Sequence, residues 1–137
     1  MIDVEAAVYS AVVDHVMAEN EFAKDVTFAS AYNPHPPQLP FVSIVETGNA
    51  TNKRFQDSSD SECFANLLYE VDVFTDSLAG KKQECRRIAD AVDKAFIALG
   101  FIRSSTSVTR NRNYNSIYQM TLRYRCAVDA DGVIYRR

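Results

Sequence analysis

From Ser116 to Val128 apolar and polar side chains alternate. Tyr118, Met120, Leu122, Tyr124, Cys126 and Val128 fall on one side, and Gln119, Thr121, Arg123 and Arg125 on the other. Successive side chains of an extended chain point to opposite faces, so this pattern predicts a long strand with one face in a core and one outside it. Such a strand needs neighbours to pair its backbone and a layer of other elements over its apolar face.

Other segments supply both. Phe41 to Glu46 is rich in β-branched residues and follows Pro40, which predicts a strand. Asn66 to Thr75 alternates again, with Leu67, Tyr69, Val71 and Val73 on one face and Leu68, Glu70, Asp72 and Phe74 on the other. Val26 to Tyr32 has β-type composition, and the proline-rich 33–40 stretch after it is a stiff connector. Phe101 to Asn113 reads as a weaker strand, and Asp131-Gly132 as a hairpin turn into a short strand at Val133 to Tyr135.

The cover is helical. Val4, Val8, Val12 and Val16 recur at four-residue spacing, predicting a helix over Asp3 to Glu19 with Asp3 as its cap. Ser77 is the expected cap of a second helix, with Cys85, Ile88, Ala89, Val92, Phe96 and Leu99 as its apolar stripe and Gly100 as its stop. The residues from Thr47 to Ser61 have no period and read as a long polar loop, its Gly48–Ser61 part expected to order on assembly. These elements predict one α+β domain over 1–137, a mainly antiparallel sheet of four to five strands with two helices packed on one face. The length of 137 residues suits a single core.

Chemistry is harder to find than structure. The chain has no GxxxxGK[ST], GxGxxG, GxSxG, HExxH or HxE…CxxC arrangement, so no phosphate cradle, nucleophile elbow or zinc site has an anchor. Catalysis, a metal and a cofactor are not expected. His15 reads as a surface or half-buried helix residue and His35 as a solvated connector residue. Asp57, Asp60 and Glu62 lack the spacing of a calcium loop. Cys63, Cys85 and Cys126 are odd in number and widely spaced, which predicts free thiols. Nothing resembles a membrane span or a signal peptide, which predicts an intracellular product.

Charge is distributed unevenly. Up to Gly80 there are 3 Lys/Arg against 13 Asp/Glu, and from Arg103 onward 7 against 2. Opposite signs at the two ends either pair within the fold or meet complementary surfaces on neighbouring subunits. Glu70/Asp72 and Arg123/Arg125 share a two-residue spacing that would set them opposite each other on adjacent strands. Specific nucleic-acid readout is not expected, because Tyr118 and Tyr124 alternate away from Arg123 and Arg125.

The layout as a whole resembles the tail terminator, or tail completion, proteins of long-tailed bacteriophages. The resemblance runs through Leu39-Pro40-Phe41-Val42-Ser43-Ile44-Val45-Glu46 after the proline-rich lead-in, the long polar loop, and Tyr69-Glu70-Val71-Asp72-Val73-Phe74-Thr75. It continues through the Lys81-to-Leu99 helix closing in Leu99-Gly100-Phe101 and the late strand Tyr118-Gln119-Met120-Thr121-Leu122-Arg123-Tyr124. It implies a structural virion protein, assembled in the host cytoplasm, that forms a ring, usually a hexamer, at the head-proximal end of the tail tube. The ring would end tube polymerisation and present the joining surface, with itself, the tail tube protein and the head connector protein as partners. A ring needs a heterologous interface, for which Lys53, Arg54, Arg110 and Arg112 on one side and Asp57, Asp60 and Glu62 on the other are the candidates. A head-to-tail connector or neck protein, and a small non-catalytic ligand- or protein-binding α+β module, are the alternative readings.

Overall fold

The computed structural model describes residues 4–20, 24, 26–31, 40–51, 64–76, 81–110, 117–129 and 134–135. The elements run α1 (Glu5–Glu19), β1 (Thr27–Ala29), β2 (Phe41–Thr51), β3 (Phe64–Asp76), α2 (Lys81–Leu99), β4 (Ile102–Arg110), β5 (Ile117–Asp129) and β6 (Ile134–Tyr135). The sheet order is β1-β2-β3-β5-β4, with β6 paired to β5 beyond the start of β4. Only β1 and β2 are parallel; every other pairing is antiparallel. The expected α+β architecture is therefore present, with the two-residue β6 as a sixth strand.

Period-2 alternation places the core. Leu67, Tyr69, Val71 and Val73 of β3 and Met120, Leu122, Tyr124, Cys126 and Val128 of β5 share one buried face with Val42 and Ile44 of β2. Val8, Val12 and Val16 of α1 and Cys85, Ile88, Val92 and Phe96 of α2 belong to the same cluster, so both helices cover that face. α2 lies over β3, β5 and β4, with α1 beside it. Burying an aliphatic or aromatic side chain contributes ~1.5–3 kcal/mol relative to exposure, and this cluster is the main stabilising element of the fold.

The end of α2 shows how local sequence sets a turn. Gly100 has φ 102°, a left-handed conformation that costs residues with a Cβ roughly 1–2 kcal/mol. Its N–H donates to the Ile97 carbonyl (3.0 Å), and the Phe101 N–H reaches back to the Phe96 carbonyl (3.1 Å). These two bonds are the Schellman arrangement, and the hydrophobic contact that accompanies it is present in the edge-to-face pair Phe96–Phe101, centroids 5.1 Å apart. The turn thus carries the chain from α2 straight into β4.

Three expectations change. α1 begins at Glu5 with Val4 at the cap position, and no side chain caps it; Asp3 lies outside the described residues. β2 continues to Thr51, five residues past Glu46, because Gly48 to Thr51 pair with Ala65 to Leu68 beyond a bulge between Glu46 and Gly48. The absence of period there reflects that bulge, which interrupts alternation without ending the strand. Of the expected cross-strand ion pairs, Glu70 does face Arg123 (3.5 Å), whereas Asp72 faces Thr121 and Arg125 faces Leu68. The proposed cap Ser77, the loop residues 52–61, the turn at 111–115, His35 and Cys63 lie outside the described residues.

Candidate assembly surface

Among the described residues no group of three or more His, Cys, Asp or Glu is placed to hold a metal ion, and no helix is long and apolar enough to cross a membrane. Both described thiols are buried: burial pushes Cys85 up to about 11 and, with the nearby Glu46 charge, Cys126 up to about 12. They are protonated at neutral pH and act as small apolar core residues. Burial, followed by the Glu46 carboxylate that accepts its hydroxyl at 3.2 Å, raises the Tyr69 pKa. Tyr124 is raised the same way, by burial and then by Asp93, which accepts its hydroxyl at 2.8 Å.

The face of the sheet away from the helices buries polar side chains beside aromatic ones. Ser43, Asp72 and Thr121 lie in one row across β2, β3 and β5, and each is at most 2% exposed. Asp72 Oδ1 accepts from Gln119 Nε2 (2.9 Å) and Thr121 Oγ1 (2.7 Å). A buried carboxylate needs such donors, since an unpaired one costs several kcal/mol. Ser43 Oγ is buried with no hydrogen-bond partner among the described residues. This row sits beside the Phe41–Phe74 ring pair, centroids 6.0 Å apart.

Two flanks of the sheet are open. β4 pairs with β5 on one side, and among the described residues no strand pairs its other side. Arg103 to Val108 are exposed whichever face they point to, β4 being an edge strand. Alongside it a groove of about 300 Å³ has Ala89, Met120 and Leu122 in its floor and Arg86, Asp93 and Arg103 at its rim. Arg103 is held there by Asp93 at 3.2 Å. The opposite edge is β1, and α1, which packs beside α2, has Glu5, Asp14 and Glu19 as its only charged residues. A second groove of about 390 Å³ runs between His15, Glu19 and Asn20 of the α1 end and Arg87, Asp90 and Lys94 of α2.

Of the interface candidates read from sequence, Arg110 ends β4, on the open flank. Lys53, Arg54, Asp57, Asp60, Glu62 and Arg112 lie outside the described residues. The strand expected over Phe101 to Asn113 is present as β4 (Ile102–Arg110); its position at the edge of the sheet was not legible, because no local signal in Ser104 to Val108 says which strand lies outermost.

No protein-family model and no curated protein matches the chain. Among solved structures, the bacteriophage SPP1 gp17 protein matches with 14% identity and TM-score 0.45 over 88% of this chain and 89% of that one. A chain in the virion of a native gene transfer agent particle matches with 19% identity and TM-score 0.66, over 94% of this chain and 99% of that chain. From end to end, therefore, this chain has the fold of a gene transfer agent virion component.

Proposed function

We propose that the protein is a structural virion component of the tail-terminator type: a ring, expected to be hexameric, that caps the head-proximal end of a tail tube, ends its polymerisation and offers the joining surface for the head connector. The observation that carries this reading is the shared fold with a virion chain over nearly the full length of both. The open edge strand β4 supports it, because every subunit of a closed ring needs surface left free to meet its neighbours.

In this reading Lys53, Arg54, Arg110 and Arg112 meet Asp57, Asp60 and Glu62 of the next subunit. Exposed pairs contribute only ~0–1 kcal/mol each and mainly set orientation and association rate, so the test is combined reversal. Replacing Arg54, Arg110 and Arg112 together by Glu leaves the monomer folded by circular dichroism and abolishes tail-length control in a complementation assay. Tails of normal length made with no copy of the protein overturn the terminator role. Tails of normal length that fail to join heads assign it to the neck instead.

A further inference from the structure

We infer that copies of this chain join by continuing the sheet from one to the next: the outer edge of β4 in one copy pairs antiparallel with the outer edge of β1 in its neighbour, setting Val108 opposite Phe28 and Ser107 opposite Ala29. This rests on the ring reading above and gives it a place on the molecule. β1 and β4 are the two outer strands of the described sheet, and no described strand pairs the far side of either. A solvent-facing edge is ordinarily blunted by lysine, proline or a bulge, because its free N–H and C=O groups are a template for another chain. β4 carries none of these along its middle. Ser105 to Thr109 holds no charge and no proline, and the one bulge lies before it, between Arg103 and Ser105. Arg103 is turned to Asp93, and Val108 stands 57% exposed on the edge. β1 is short but equally uncharged.

Strand polarity and register agree with this junction. β1 is parallel to β2, and the three antiparallel steps from β2 to β3, β5 and β4 leave β4 running opposite to β1. Rotation about an axis lying along the strands keeps every strand's direction, so β4 of one copy meets β1 of the next antiparallel. The rows match as well. Val108, Met120, Val73, Val42 and Phe28 form one row across the sheet, and Ser107, Thr121, Asp72, Ser43 and Ala29 form the next. Phe28 packs on the core under the helices, so the junction carries that apolar face on to Val108, which the edge otherwise leaves bare. Strand tilt in a closed ring shifts such partners by two residues at a time, which keeps each side chain on its own face.

Disulfide trapping between copies tests the assignment. In a Cys63→Ser background, in which the remaining thiols Cys85 and Cys126 are buried, Ala29→Cys protein is mixed in turn with Ser105→Cys, Thr106→Cys, Ser107→Cys and Val108→Cys proteins under mild oxidation. Ser105 and Ser107 share the face of Ala29, whereas Thr106 and Val108 lie on the helix face. The expected result is a crosslinked dimer confined to the Ser105→Cys and Ser107→Cys mixtures, strongest with Ser107→Cys, and background only in any protein alone. A chain carrying both Ala29→Cys and Ser107→Cys gives a covalent ladder ending in one closed species. Ser107→Cys protein that crosslinks alone as strongly as in the mixture means that like edges meet and overturns the inference, as does equal crosslinking at all four positions. Oligomers seen by sedimentation without crosslinking in any mixture also overturn it while leaving the ring reading standing. A chain that is monomeric at every concentration, and on added tail tubes, overturns both.

Discussion

Phe96 and Tyr124 stack with ring centroids 4.3 Å apart and planes 6° from parallel, and Asp93, one turn earlier on α2, accepts the Tyr124 hydroxyl. One helix thus holds a single tyrosine of β5 at both its apolar body and its polar tip, which suits a side chain of that mixed chemistry. Tyr69 and Phe101 complete the cluster, at 6.0 Å and 5.1 Å from Phe96. Asp93 also engages Arg103, so the same turn of α2 ties the core to the open strand β4.

Phe96 is fully buried at the centre of this cluster. Phe96→Ala is expected to lose ~3–5 kcal/mol of stability, through lost transfer free energy and the cavity left behind. Urea melts followed by circular dichroism measure it. A loss below ~1 kcal/mol would be incompatible with a buried phenylalanine.

Asp72→Ala removes the shared acceptor of Gln119 and Thr121, both at most 4% exposed. Unsatisfied buried donors cost ~1–3 kcal/mol each, so the variant is expected to be destabilised by that order. Asp72→Asn keeps an acceptor oxygen and is expected to lose less. Equal losses in the two variants would show that the hydrogen bonds contribute nothing beyond the charge.

Gly100→Ala places a Cβ on a residue at φ 102°. A loss of ~1–2 kcal/mol is expected, with the core otherwise intact. An unchanged denaturation midpoint would mean that the turn relaxes to another conformation.

Stability is expected to fall in alkali. The Cys85 and Cys126 thiols titrate near 9 when unfolded and are pushed up to about 11 and about 12 in the fold. Their contribution is complete below pH ~9; above it the unfolded chain releases these protons first, and each thiol takes away about 1.4 kcal/mol per pH unit until its folded value is reached. Buried Tyr69 and Tyr124 act in the same direction from pH ~10 upward. Denaturant midpoints at pH 8, 9.5 and 10.5 measure the slope, and a flat profile would exclude buried, neutral thiols.

Alternation and helical period were enough to read the core. Tyr118 to Val128, Leu67 to Val73 and the Cys85-to-Leu99 stripe each repeat at the spacing of their element, and those residues are the ones packed together. Gly100 was legible for a similar reason, since a helix stop is set by a few neighbouring residues. Partners across strands were not. Glu70 meets Arg123 while Asp72 meets Thr121, because the register is decided by the whole β3–β5 ladder and two-residue spacing fits more than one alignment. The continuation of β2 past its bulge and the open flank of β4 were likewise decided in three dimensions. Local residues specify which face of a segment is apolar, but which strand lies at an edge, and how far a helix covers it, depends on the order in which all the strands pack.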